Sequence, residues 1–373
     1  MKPAGRLGLL YTLFRTPTPP YVILYVTARC NQRCGMCFYW KQQAAARAED
    51  ELTLAELEKI SRGFSDIVQL SLTGGEPFLR ADLCEIAALF ARNNRVRYLT
   101  IPTNGSLPDR IPAMVARMLE ENPRTVIRVA LSIDGAGEEH DRVRGMPGAY
   151  EKLTATYKAL LPLRARYGNL LIDLNTVYSR LNEHRAAELF DFVKANFRAD
   201  NYSVTWVRGD TREPAAAAPG PAGYLALCER LAVPLTGSDA RPWHGLLRAV
   251  AEKSRGIIAA RLLGGRARLP CLAGRKLVVI SETGRVFPCE LMDRCLGGLR
   301  GSGYDIKKIL GGAACAAARG YIERTKCSCT FECAVNASLI FHWPSLPGLL
   351  ASAAVRKVKA LLAGGGGGSG ARI

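Results

Sequence analysis

From Tyr21 to about Gly209 the chain alternates between two kinds of pattern. Short runs rich in β-branched and aromatic residues read as strands: YVILYVT, VQLSLT, YLTIPT, VIRVALSI, LLIDLNTVY and YSVTWV. Between them, apolar residues recur at helical spacing over Thr53–Gly63, Asp82–Asn93, Asp109–Glu121, Ala149–Tyr167 and Glu183–Phe197. Thr53 with Glu56 three residues on has the form of a capping box, and Asp82 and Asp109 are placed to cap the next two helices. Strands that each lead into a helix or a turn towards one predict parallel pairing with right-handed crossovers. Six such units are too few to close an eight-fold barrel. The expected fold class is therefore α/β, an open, partial (β/α)6 barrel of parallel strands with a C-terminal cysteine-rich domain.

The alternation stops at TREPAAAAPGPAG, Thr211–Gly223, a Pro/Ala/Gly stretch that marks a boundary. The expected organisation is an amphipathic segment over 1–20, the barrel over 21–210 and a linker over 211–223. A bridging helical region over 224–270 follows, then the cysteine-rich domain over 271–340. A basic amphipathic tail over 341–373 ends in LLAGGGGGSGARI, a glycine run of disordered composition.

Composition narrows the class. A chain of 373 residues, 48% hydrophobic and 23% charged, buries a sizeable core. The net charge of +18, from 51 Lys+Arg over 33 Asp+Glu, favours anionic partners such as nucleic acid, a phospholipid surface or a phosphorylated substrate. An arginine-rich composition without such a partner is the competing explanation. The opening MKPAGRLGLLYTLFRTPTPP is no secretory signal, because Arg15 interrupts a short apolar run and no small-residue cleavage site follows. The best candidate for a membrane span, Val335–Val355, contains Asn336, His342, Pro344 and Pro347 and is a poor one. Twelve cysteines in a chain read as cytoplasmic argue for reduced thiols that bind metal or a cluster, not for a disulfide framework.

Three of those thiols, Cys30, Cys34 and Cys37, fall in TARCNQRCGMCFYW, directly after the first strand. This is the carboxyl end of the sheet, where barrel folds carry out catalysis. Zinc is one reading, with Cys34 and Cys37 as a CxxC and a fourth ligand from elsewhere. A 4Fe–4S cluster with one iron open to a small molecule is the other.

Here the sequence resembles the radical S-adenosylmethionine (SAM) superfamily, whose motif is CxxxCxxC after the first strand of a partial barrel. The resemblance implies a 4Fe–4S cluster on Cys30, Cys34 and Cys37 whose open iron chelates SAM. It further implies reductive cleavage of SAM to a 5′-deoxyadenosyl radical that abstracts hydrogen from substrate. Other stretches fit the same family. SLTGGEP places Gly74, Gly75 and Glu76 at the end of the second strand, where the glycines admit the methionyl group and Glu76 accepts from its ammonium. IPTNG puts Asn104 in a polar turn near SAM. LSIDGAGEEHDRVRGMPGAYEKL resembles the subgroup with SPASM or twitch auxiliary-cluster domains, which implies Ser132 and Asp134 near the ribose and Arg144 at the SAM carboxylate. Asn175 in LNTVY would face the nucleoside. Met36 stands where the family often has an aromatic residue beside adenine, and a thioether still packs on a flat ring.

The subgroup also expects cysteines in the C-terminal part. CLAGRKLVVISETGRVFPCE supplies Cys271 and Cys289 around a hairpin, with KLVVI and RVFP flanking SETG. KCSCTFEC adds Cys327, Cys329 and Cys333, and the set suits one auxiliary 4Fe–4S cluster, a SPASM/twitch-type domain. Which of those last three cysteines ligate it stays open at this stage.

The resemblance implies an enzyme, a maturase or oxidoreductase acting on a peptide, protein or small molecule. A reductant such as flavodoxin or ferredoxin would supply the electron. The basic, aromatic termini suggest a second reading, a lipid or lipid-linked substrate met at the inner face of an anionic membrane. A third is a zinc-stabilised nucleic-acid-binding protein without redox chemistry, although no RNA-binding domain is recognisable.

Overall fold

The computed structural model describes residues 16–231, 244–265 and 269–354. The expected terminal amphipathic segments fall largely outside this range, as does part of the bridging region. All six expected strands form: β1 (Tyr21–Thr27), β2 (Gln69–Gly74), β3 (Tyr98–Thr103), β4 (Val126–Ser132), β5 (Leu170–Tyr178) and β6 (Asn201–Trp206). They pair in parallel and in sequence order. In β2, β3 and β4 every second residue is buried. Leu70, Leu72, Leu99, Ile101, Ile127 and Val129 enter the main core, while Ser71, Thr100 and Arg128 on the opposite face line a central cavity. One face of each strand thus builds the core and the other builds the lumen.

Between the strands lie α1 (Trp40–Ala44), which buries no residue, and the helices that complete the core, α2 (Leu54–Gly63), α3 (Leu83–Asn94), α4 (Arg110–Glu121), α5 (Glu138–Arg144), α6 (Ala149–Arg166) and α7 (Ala186–Asn196). The capping box forms: the Thr53 hydroxyl accepts from the Glu56 amide, and Glu56 accepts from the Thr53 amide. Asp82 and Asp109 make no cap hydrogen bond. Asp82 is instead taken by the buried Arg80, whose Nε donates to it at 2.7 Å. A charge-assisted bond to a guanidinium outweighs a single amide donor.

Beyond β6 come α8 (Pro221–Arg230), α9 (His244–Leu262), β7 (Leu277–Ile280), β8 (Arg285–Phe287), β9 (Gly297–Gly298), α10 (Ile306–Gly311), α11 (Ala313–Arg324) and α12 (Glu332–Phe341). The expected hairpin is β7–β8, antiparallel, with Gly284 at φ +84° in its turn. It does not stand apart from the barrel. β7 pairs in parallel with β1, Tyr21 opposite Leu277 through Leu24 opposite Ile280, so one nine-stranded sheet runs β6-β5-β4-β3-β2-β1-β7-β8-β9. Helices α9 and α12 pack on each other, and both contribute residues to the cavity wall. The stretch expected as a linker is tied down at its start: the Arg212 amide donates to the Cys37 carbonyl at 3.1 Å and the Glu213 amide to the Gly35 carbonyl at 2.8 Å. Among the described residues no helix is long and apolar enough to cross a membrane.

Candidate active site

A cavity of about 480 Å³ fills the barrel. Cys30, Cys34 and Cys37 line it from the loop after β1. Backbone bonds pin that loop on two sides. The Arg33 and Gly35 amides donate to the Arg144 and Val143 carbonyls at 3.2 Å each, and the Arg212 and Glu213 amides reach it from across. Gly145 caps α5 at φ +60°, and a Cβ there would lie 2.6 Å from the Arg33 carbonyl oxygen, so glycine is required for this seam. Burial pushes all three thiols up, Cys30 to about 12, with the other thiols' charges adding to the rise at Cys30. Among the described residues no three His, Cys, Asp or Glu side chains already stand at metal-ligating spacing. The fold therefore fixes the backbone and leaves three half-buried thiols whose thiolates would repel one another, a donor set that fits a soft, positively charged group.

Arg144, expected at the SAM carboxylate, lines the cavity and is 7% exposed. Its Nη2 lies 2.5 Å from Asp134 Oδ2, and its Nη1 donates to Cys34 Sγ at 3.8 Å. The Asp134 contact is a charge contact more than an aligned hydrogen bond, since neither atom has a well-directed partner. Burial lowers the Arg144 pKa, and Asp134 with Cys34 more than offsets it, so the guanidinium stays charged. Asp134, expected near the ribose, is fully buried and does not line the cavity. It accepts from the Val177 amide at 2.7 Å and serves Arg144. His140 is held near 3 by burial and by Arg144, so it is neutral, and its Nδ1 accepts from the Asp134 amide at 3.2 Å.

Glu76 likewise sits behind the wall. It is 0% exposed, and its carboxylate accepts from Thr103 Oγ1 and the Asn104 amide at 2.8 Å and from the Phe78 amide at 3.1 Å. Burial raises its pKa to about 7 despite those donors. Through these bonds the carboxylate, expected to accept from the SAM ammonium, fixes the β3 turn. Asn104 then does face the cavity: its Nδ2 donates to Asn31 Oδ1 at 2.9 Å and points to Cys30 Sγ at 3.9 Å.

The glycine pair has a local cause as well as a cavity position. A Cβ on Gly74 would lie 2.1 Å from the Thr27 carbonyl oxygen, and one on Gly75 2.1 Å from that of Arg29. The Gly75 and Glu76 amides donate to those same carbonyls at 2.9 and 2.8 Å, so β2 ends directly against the cysteine loop. Ser132, Asn175 and Met36, expected at the nucleoside of SAM, line the cavity. Asn175 Oδ1 accepts from Ser203 Oγ at 2.8 Å, and Met36 packs with Val143, Val207 and Ala216.

The C-terminal thiols divide into two groups. Cys271 and Cys327 interact as a hydrogen-bonded pair, which pushes the Cys271 thiol up and draws the Cys327 thiol down. Cys329 and Cys289 lie within electrostatic reach of that pair. None of these four lines the cavity. Cys333, at the start of α12, does line it, hydrogen-bonded to the Tyr21 hydroxyl at the start of β1.

Sequence reasoning missed the polar layer below the thiols. Arg128 hydrogen-bonds Asp173, and Arg208 Nη2 pairs with Glu290 Oε2 at 2.8 Å. Tyr25 donates to Glu290 Oε1 at 2.8 Å, and Glu332 stands half-buried beside them, its pKa raised by desolvation. The available signal was charged residues at lumen-facing strand positions, such as Arg128 within VIRVALS.

Comparison with known proteins points one way. Residues 24–193 match the model of the radical SAM superfamily. The AdoMet-dependent heme synthase of Methanosarcina barkeri (strain Fusaro / DSM 804) is 28% identical over 300 residues, 76% of this chain and 80% of that protein. The same organism's Fe-coproporphyrin III synthase is 35% identical over 142 residues, 37% of this chain and 33% of that protein. The GTP 3',8-cyclase of Stenotrophomonas maltophilia (strain K279a) is 31% identical over 179 residues, 47% of this chain and 51% of that protein. The chain thus matches only a third to a half of the last two. Among solved structures, Streptococcus suis SuiB bound to S-adenosylmethionine aligns with TM-score 0.57 at 18% identity over 82% of this chain and 68% of that one. Native anSMEcpe with bound AdoMet aligns with TM-score 0.54 at 17% identity over 89% and 99%. Both share the fold.

Proposed function

Because this chain belongs to the radical SAM superfamily, we propose that it holds a 4Fe–4S cluster on Cys30, Cys34 and Cys37 and cleaves SAM reductively to abstract hydrogen from a peptide or small-molecule substrate. The observation that carries this reading is a cavity that the three thiols line together with the Arg208–Glu290 layer. A radical formed beside the thiols then meets substrate without crossing solvent.

When bound and reduced, the cluster and SAM supply the 5′-deoxyadenosyl radical; the rest is the work of this chain's residues. Arg144, kept charged by Asp134, stabilises the Cys34 thiolate and offers its guanidinium to the SAM carboxylate. Glu76 acts one step back, by locking Thr103 and Asn104 where the methionyl end of SAM would lie. Met36, Ser132 and Asn175 shape the nucleoside end of the pocket. Outside the cavity, Cys271, Cys289, Cys327 and Cys329 form the auxiliary-cluster set. A reductant such as flavodoxin or ferredoxin supplies the electron.

The similarity to AdoMet-dependent heme synthase across 80% of that protein favours a tetrapyrrole as a second substrate reading. Titrating an iron porphyrin and following its Soret band tests it. A lipid substrate rests on terminal segments largely outside the described residues, and a zinc-stabilised nucleic-acid module leaves the superfamily match without a role.

Anaerobic reconstitution with iron and sulfide tests the main reading. A brown protein that releases 5′-deoxyadenosine from SAM under dithionite is expected. Replacing Cys30, Cys34 and Cys37 by Ala should abolish release while leaving auxiliary-cluster absorbance. Iron-loaded protein that leaves SAM intact overturns the proposal.

A further inference from the structure

Arg208 touches both cysteine segments at once. Its guanidinium lies 5.0 Å from the ring centroid of Phe38, the residue after Cys37, and 4.7 Å from that of Phe331, two residues after Cys329. Its Nη2 pairs at 2.8 Å with Glu290, the residue after Cys289. The Glu290 side chain is 6% exposed, and its other oxygen accepts from Tyr25 at 2.8 Å. Tyr25 in turn packs on Tyr39, two residues after Cys37, with centroids 4.4 Å apart, and the Tyr39 hydroxyl donates to Glu282 in the β7–β8 turn. Beside Arg208, Gly209 at φ +68° admits the Phe38 side chain, since a Cβ there would lie 2.9 Å from Phe38 Cβ.

Resting on the reading that both segments hold clusters, we propose that Arg208 is the positioning residue that couples the two thiol sites, so that filling the C-terminal site tightens the N-terminal one. Each contact acts one or two residues from a cysteine, so a shift of the Cys289 or Cys329 backbone displaces the Arg208 bracket and, through Phe38, Cys37. A half-buried guanidinium clamped between two rings and a buried carboxylate has little freedom to absorb such a shift. By linkage the effect is reciprocal, and coupling of this kind spans roughly 5- to 150-fold in affinity.

The test uses the full chain with the C-terminal site emptied by Cys271→Ala/Cys327→Ala, with Arg208 retained and in the Arg208→Gln background. The N-terminal cluster is followed by the SAM-induced change in its reduced-state EPR signal and by chelator-driven loss of that signal. With Arg208 present, emptying the C-terminal site should speed loss by about fivefold or more and alter the EPR line shape. In the Arg208→Gln background, emptying it should change neither. Equal acceleration in both backgrounds, or none in either, overturns the proposal.

Hydrogen exchange of the iron-free chain gives an independent reading. Arg208→Gln should raise exchange over residues 33–39 and 286–292 together, and Arg208→Lys, which keeps the Glu290 pair, should raise it less. Exchange rising in one segment alone counts against the coupling. Coupled exchange in a chain that never cleaves SAM would instead uphold the bracket and sink the functional reading.

Discussion

Arg144 Nη2 sits 2.5 Å from Oδ2 of Asp134, an aspartate with no exposed surface, while Nη1 of the same guanidinium reaches Cys34 Sγ at 3.8 Å. The aspartate therefore sets the charge and direction of an arginine that faces the cavity. Through the Arg144 and Val143 carbonyls, the same turn of α5 also holds the cysteine loop.

Removing one member of such a pair strands the other. Asp134→Ala should destabilise the metal-free protein by about 3–5 kcal/mol, read from urea unfolding, because Arg144 keeps its charge in a buried place. Arg144→Met alone should cost a similar amount. The double variant Asp134→Leu/Arg144→Met should recover much of the loss, since no buried charge remains. Strictly additive losses would show that the pair is not the unit that matters.

Glu76 makes stability depend on pH in a direction opposite to that of most carboxylates. Its folded-state pKa is about 7, above the ordinary 4.5. Between those values the folded chain binds the extra proton, so the contribution is fully present below about 4.5 and is lost as pH rises through about 7. The loss amounts to about 3 kcal/mol, at 1.36 kcal/mol per unit. Glu76→Gln should remove this part of the pH dependence of the urea midpoint. An unchanged slope between pH values of about 5 and 8 would contradict the buried-acid assignment.

Gly75 has no room for a side chain. A Cβ would lie 2.1 Å from the Arg29 carbonyl oxygen, a backbone atom that moves only with the cysteine loop. Gly75→Ala should cost at least about 1–3 kcal/mol as overpacking. It should also lower iron bound at Cys30, Cys34 and Cys37 while leaving the C-terminal iron in place. Iron analysis of the variant beside the Cys30/Cys34/Cys37 triple-Ala chain separates the two sites; full occupancy of both would show that the loop accommodates the methyl.

Much of this architecture is written in local periodicity. YLTIPT names β3 to the residue, and the Thr53–Glu56 box appears as expected. The addition of β7 to β1 was not readable, because LVVI is buried on both faces and carries no alternation to say which strand it joins. Residue type also failed to give direction. Glu76 and Asp134 stand beside the site but point behind its wall, because the donors that turn them, Thr103, Asn104 and Val177, lie on other strands or their turns. Arg208 and Glu290 belong to no local motif at all; only the folded chain brings a post-β6 loop against the residue after Cys289.

The thiols of the C-terminal part present the clearest choice. Cys271 and Cys327 interact as a hydrogen-bonded pair, and Cys289 and Cys329 lie within electrostatic reach of that pair, whereas Cys333 hydrogen-bonds Tyr21 inside the cavity. Substituting Cys271, Cys289, Cys327 or Cys329 by Ala should remove or destabilise the auxiliary cluster, a loss of about four irons per chain when complete. Cys333→Ala should leave the iron count unchanged, because its thiol is directed at Tyr21 and the lumen. It should nonetheless change what the cavity accepts. Anaerobic iron and sulfide analysis of the five variants decides the matter: a Cys333→Ala chain that loses as much iron as Cys271→Ala would put Cys333 among the ligands and undo the partition argued from the fold.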